Sequence, residues 1–272
     1  MIRRLMGSEW LLIAQVDHAH LAGELADRIG NEIFDPPDNR SLFHDAVANH
    51  DQGWIEADRK PTLNLRGEPI DFTEIAIATA LSIWGSSAEQ AADLGPLPGL
   101  LVSLHSLSLS IMRGSDANID ATRRFALNKF QHRQIELQES CRKKLGLAGD
   151  IPLHHGLPEK SDDPRDKSIV HQFRLLQAMD AMSLAACCSK PPATELSPVF
   201  ARAGGRAHTL RIRRSGEKTL HISPWPFDVE RFNLDVPARP IPAEPFVSPE
   251  ALHDALASAA STTLTFTFAA SR

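Results

Sequence analysis

Four separated segments carry side chains that could meet around a metal ion: His18, the pair His50-Asp51, His105 and Asp180. Neutral imidazoles and carboxylates are donors that divalent Fe, Mn, Zn, Ni or Mg accept, and a mixed nitrogen and oxygen set does not choose among them. An ion so held, with open positions, lowers the pKa of bound water from 15.7 towards ~7, which is how a hydrolase obtains its nucleophile at neutral pH. Each segment also has a plainer reading. His-Asp pairs are common on surfaces, and a second copy, His44-Asp45, stands six positions earlier. A lone histidine in an apolar helix is often a hydrogen-bonded core residue, and Asp180 could pair with Arg174 instead of a metal.

The elements that would position these groups follow from hydrophobic spacing. A helix from Asp17 to about Ile29 places Leu21, Ala22, Leu25, Ala26 and Ile29 on one stripe, with His18 on that side and His20 rotated away. A short run from Ser41 to His50 ends in Asn49-His50-Asp51-Gln52-Gly53-Trp54. Adjacent helical positions differ by roughly 100°, so His50 and Asp51 can both reach one ion lying between them. Trp54 is either a core anchor or a surface on which substrate stacks. The polar loop from Ile55 to Asp71 either covers a substrate or simply connects.

Further helices are expected over Phe72 to Ala92, over the very apolar Leu100 to Met112 that contains His105, and over Asp116 to Leu145. In the last of these, Lys129 and Arg133 are four apart and could hold an anion or merely be solvated. The stretch Gly149 to Asp166, with His154-His155, reads as a loop. Lys167 to Cys188 forms the final long helix, where Asp180 sits among Leu175, Leu176, Ala178, Met179, Ala181 and Met182. A carboxylate there is expensive to bury unless a cation meets it. Gln177, one turn earlier, could orient a ligand. Past Pro191-Pro192 the pattern turns to strands: Val199 to Ala203, Thr209 to Arg213, Thr219 to Ser223, Arg231 to Val236 and Thr263 to Phe268, interrupted by a helix at Pro249 to Ala260.

The expected architecture is α+β: N-terminal strands over 1–16, a mainly helical bundle over 17–190 and a β-rich lobe over 191–272, the two ends sharing a small antiparallel sheet. At 272 residues, 23% charged and 42% hydrophobic, the chain can bury a real core. A net charge of −5 and a pI near 6.2 provide no basic field for nucleic acid or an anionic membrane. No run approaches the ~20 apolar residues of a membrane span. The three cysteines, two of them adjacent, suit a reducing cytoplasmic setting better than disulfides. A homodimer is allowed but not required.

The ordered set His18, His50-Asp51, His105, Asp180 resembles the HD-domain superfamily, in which helices hold a divalent metal with His, His-Asp and a distant Asp. Gly53 also matches that pattern. A closer similarity is to the uncharacterised domain of unknown function 3891. It is carried by Asp17-His18-Ala19-His20-Leu21-Ala22-Gly23-Glu24, His50-Asp51-Gln52-Gly53-Trp54, Leu101-Val102-Ser103-Leu104-His105, Leu176 to Leu184 and Pro224-Trp225-Pro226-Phe227. The HD resemblance implies a metal-dependent hydrolase of a phosphoester or nucleotide-like small molecule; in this chain Asp51, Lys129 and Arg133 are the candidate catalytic groups, Lys129, Arg133 or Arg174 could bind phosphate, and His20, Trp54 and Gln177 could stand around the ligands. Two alternatives stand beside it. One is an HD-type di-iron oxygenase drawing further ligands from His20, His132, His154, His155 or His171. The other is a non-catalytic metal- or ligand-binding protein.

Overall fold

The computed structural model describes residues 1–115, 119–147, 153–154, 157–158 and 163–271. Two strands, β1 (Ile2–Met6) and β2 (Glu9–Ile13), form a hairpin, followed by α1 (Gln15–Ala26) and α2 (Arg40–Ala48). A single 3-10 turn (Gln52–Trp54) leads into α3 (Ile55–Arg59), and then come α4 (Ile77–Leu94), α5 (Pro96–Gly114) and α6 (Ala121–Lys144). The two-residue strands β3 (Leu153–His154) and β4 (Leu157–Pro158) pair with each other before α7 (Pro164–Cys187). The C-terminal part holds β5 (Glu195–Phe200), β6 (Ala207–Ser215), β7 (Thr219–Ser223), β8 (Arg231–Pro242), α8 (Pro249–Ser258) and β9 (Thr262–Ala270).

The expected helical bundle with a small antiparallel sheet is overturned by a seven-stranded mixed sheet in the order β1-β2-β8-β9-β7-β6-β5, in which β7 and β9 run parallel. The strand that makes the difference is β8. Its prolines at 237, 240 and 242 suggest a strand ending at Val236, yet alternate burial continues to Ile241. The register explains the tolerance. Residues Arg231 to Ala238 pair with β9, while Arg239 to Pro242 pair with β2, so each proline has a strand on one side only. Thus β8 joins the N-terminal hairpin to the C-terminal strands as one sheet.

Alternate residues of that sheet, among them Ile13, Leu220, Val236 and Phe268, share a core with Leu21 and Leu25 of α1, Phe43 of α2, Leu101 of α5 and Met179 and Met182 of α7. On the other side, Leu252 and Leu256 of α8 pack on Trp10, Leu12 and Ile241. A separate cluster joins Trp54 to Trp84 of α4 and Phe130 of α6. The end of α7 is tied to the sheet by two arginines, because the last carbonyls of a helix lack intrahelical donors. Arg4 of β1 donates to Ala186 O at 2.7 Å, and Arg214 of β6 donates to Cys188 O at 2.6 Å. Those contacts fix the axial position of α7, and with it Asp180.

Candidate metal centre

The buried stripe of α1 runs Gln15, His18, Ala19, Leu21, Ala22, Leu25 and Ala26, so helical period alone turns His18 inward and leaves His20 exposed. Helix α2 ends at Ala48, two residues sooner than its spacing suggests, and His50 and Asp51 lie in the turn that follows. This turn can lie against α4 only because residue 53 is glycine. A Cβ there would run into the Ile83 carbonyl oxygen and the Ser87 backbone, while the Gly53 N–H donates to Ser87 Oγ at 3.0 Å. His105 faces inward from α5 and Asp180 from α7. The imidazoles of His18, His50 and His105 and the Asp51 carboxylate are all close to fully buried.

The distances bring all five groups together. His18 Nε2 is 2.8 Å from Asp51 Oδ2, and His50 Nε2 is 3.4 Å from Asp180 Oδ1 and 3.7 Å from Asp51 Oδ2. His105 Nε2 is 3.6 Å from Asp180 Oδ2, and His18 Nδ1 is 4.0 Å from Asp180 Oδ1. The His50 ring stands edge-on to both other imidazoles, its centroid 5.3 Å from that of His18 and 5.4 Å from that of His105.

Tautomers follow from the surrounding acceptors. The Ser183 hydroxyl donates to Asp180 O at 2.8 Å, so at 2.9 Å from His18 Nδ1 it can only accept, which places a proton on that nitrogen. Val47 O is likewise an acceptor and lies 2.6 Å from His50 Nδ1. Both neutral imidazoles therefore turn Nε2 lone pairs inward, towards carboxylate oxygens. Electron pairs that close repel unless a cation, either a proton or a metal ion, lies between them. Among the described residues His50 Nε2 has no well-aligned hydrogen-bond partner despite its burial, its contact with Asp180 Oδ1 being a long 3.4 Å, and His105 Nδ1 has none.

Protons alone can partly meet the demand. Burial by itself would push His50 down, but the charge of Asp51, then the hydrogen bond and charge of Asp180, outweigh it and lift the imidazole to about 9. Burial works against Asp51 and Asp180 as well. It is overcome by the His50 charge and the His18 hydrogen bond for Asp51, and by the His50 hydrogen bond and the charges of His50, His105 and His18 for Asp180; both carboxyls stay below their usual range. His105 is pushed down, chiefly by desolvation.

The same geometry fits a metal ion. Bonds of about 2.1 Å set ligands at right angles ~3.0 Å apart and opposite ligands ~4.2 Å apart, and the contacts between the inward Nε2 atoms and the two carboxylates lie at 2.8, 3.4, 3.6 and 3.7 Å. One ligand atom each from His18, His50 and Asp180 lies within 4.8 Å of the others. Outward N–H groups held by a serine and a backbone carbonyl are what metal-ligating histidines usually have.

A cavity of about 460 Å³ opens beside the cluster. Trp54 and Gln177 line it, with Gln177 donating to Ser108 Oγ at 3.2 Å and accepting from Arg174 at 2.8 Å. Arg174 is thereby engaged away from Asp180, which is met by histidines instead. Spacing gave no warning of Ser183, Gln15, Trp84 or Arg113, although Ser183 is one turn from Asp180. Other expectations fail here. Lys129 and Arg133 are exposed and line a different groove with Glu89 and Phe130, because the four-residue spacing fixes that they share a face of α6 but not which way it points. His20 is exposed and does not line the cavity, since it lies opposite the buried stripe of α1. His44 pairs with Asp27 near the surface, and His132 with Glu136. His171 is buried away from the cavity lining, while His155 and the side chain of His154 lie outside the described residues.

The chain is thus a mixed-sheet α+β protein whose helices α1, α5 and α7, with the turn after α2, enclose a cluster of three histidines and two aspartates. It belongs to the family described as protein of unknown function (DUF3891), which it matches over residues 1–243. No curated protein and no solved structure matches the chain. No helix among the described residues is long and apolar enough to cross a membrane.

Proposed function

We propose that this protein is a metal-dependent hydrolase of a small molecule, the cluster being its metal centre. The observation that carries the reading is the pair of buried Nε2 atoms of His18 and His50, turned towards two carboxylates by outward hydrogen bonds to Ser183 and Val47. His18, His50, Asp51, His105 and Asp180 would hold the ion, and the likeness to the HD superfamily is proposed for this ligand order alone. When bound, a divalent ion supplies Lewis acidity and lowers the pKa of water. The chain's own side chains supply the rest. Asp51 Oδ2, already 2.8 Å from His18 Nε2, is placed to hold a proton. The amide nitrogen of Gln15, buried without a partner and lining the cavity, is placed to donate to a substrate oxygen. Trp54 and Trp84, both buried, keep water from that side of the cavity. A second iron, as in the oxygenase alternative, would need a further ligand group, and among the described residues a single one gathers.

The test is metal analysis after stripping with chelator and reloading with Fe, Mn, Zn, Ni or Mg in turn. A single ion per chain is expected in the native protein, with His50→Ala and Asp180→Asn losing it while remaining folded by circular dichroism. Folded native protein that retains none of these ions removes the proposal.

A further inference from the structure

The cavity beside the cluster has a lining that discriminates among substrates. We infer that it takes a small monoanion with a mainly apolar body, whose single acidic group is held by Arg113 and whose uncharged end lies against the cluster. The inference rests on the proposed function only for which end reacts.

Three observations carry it. First, the walls are apolar and aromatic: Trp54, Phe72, Trp84, Leu109, Leu184 and Leu196. Two of the chain's four tryptophans stand here, and a volume of about 460 Å³ falls in the range of small-molecule sites. Second, Arg113 is the one lysine or arginine in that lining, and no carboxylate pairs with it among the described residues. It follows Leu109 by one helical turn of α5, eight residues past His105, so roughly 12 Å of helical rise separates it from the cluster. A nucleotide's phosphates would ask for several cations, and Lys129 and Arg133 are in another groove. Third, the end near the cluster prefers an uncharged group. Two carboxylates would offset the charge of a divalent ion, the three imidazoles would be neutral ligands, and the lining's buried amide donor without a partner among the described residues is that of Gln15, 1% exposed. A buried amide donor of this kind is satisfied by a carbonyl or similar oxygen and gains little from a second full charge.

The exposed residues of the lining, Thr73, Met112 and Pro192, mark its opening, and Arg113 adjoins Met112 there. An anion at Arg113 therefore stays in contact with water while the apolar body is buried, which avoids the cost of desolvating a charge.

The experiment is calorimetric titration of the full chain with three probes: 4-phenylbutyrate, its neutral amide and ATP. The acid is expected to bind at least tenfold more tightly than either of the others. Arg113→Gln should weaken the acid tenfold or more and leave the amide unchanged. Met112→Glu, at a side chain 65% exposed and so harmless to folding, should weaken the acid in the same direction by placing a like charge beside the arginine. ATP binding as tightly as the acid overturns the inference, as does an unchanged preference for acid over amide in both variants, which would mean that the carboxylate sits on the cluster. Metal content measured on the same samples separates the two readings. Arg113-dependent acid binding by a chain that holds no metal sustains this inference and removes the hydrolase. A metal-loaded chain indifferent to Arg113→Gln and Met112→Glu does the reverse.

Discussion

Around Glu68, on the loop that follows α3, donors and acceptors are matched. The Glu68 carboxylate receives Arg66 Nη2 at 2.6 Å, Arg3 Nη1 at 3.0 Å and Asn64 Nδ2 at 3.0 Å, while Glu74 receives Arg66 Nη2 and the Asp71 N–H. Around His50 the same classes of side chain are mismatched, with inward Nε2 atoms facing carboxylates at 3.4 to 3.7 Å and, among the described residues, no partner for the buried Nδ1 of His105. The first set is complete without anything from outside. The second keeps a place for a cation. A charged cluster therefore points to a ligand when its acceptors outnumber its donors in the dry interior, where an unmatched group is costly, and to scaffolding when they balance at the surface.

Metal should separate the two regions most strongly. A bound divalent ion at a hundredfold excess over its Kd adds about 2.7 kcal/mol to the unfolding free energy, a gain that chelator reverses and that Asp180→Asn abolishes. Denaturant titration with and without the ion checks this; equal stability in both for every candidate metal erases the contrast. A smaller effect is expected from pH in the metal-free chain. His50 is raised in the folded state to about 9, above its ordinary value of 6.5, so its contribution to stability is fully present below 6.5 and is lost as pH rises through 9. His50→Gln should flatten that decline. The smallest effect belongs to the loop. Hydrogen bonds from Arg66 and then Asn64 hold Glu68 at about 2, against 4.5 ordinarily, so its share of stability is present above 4.5 and lost as pH falls towards 2. Glu68→Gln at neutral pH should cost under about 1 kcal/mol, since the pair is partly exposed and screened, and the loss should be the same with or without metal.

His18, His105 and Asp180 were legible because each is a polar group set into an apolar helical stripe, where periodicity gives direction, whereas His50 and Asp51, in the turn after α2, were legible only as a His-Asp pair followed by Gly53. His18 within Leu21, Ala22 and Leu25 and Asp180 within Leu176, Met179 and Met182 are oriented by their neighbours. Lys129 and Arg133 were not legible, since α6 is charged on most sides and its buried face, Leu127, Phe130, Gln134, Gln138 and Cys141, is half polar, which leaves spacing little to aim them by. The sheet escaped for another reason. Strand propensity is local, whereas the parallel pairing of β7 with β9 is decided across β8 and α8, and three prolines disguised half of β8. Ser183 is singled out only by its contact with His18, and Gln15 and Arg113 only by the cavity that they line.

The contact between residue 53 and α4 has a consequence for anyone wishing to re-aim this centre. One hydrogen atom in place of a methyl group sets how near the turn that carries His50 and Asp51 sits to its neighbours. Tuning the spacing of His50 and Asp51 is therefore a matter of trimming or enlarging Ser87, on a helix that adds no group to the cluster, while the clustered side chains themselves stay untouched.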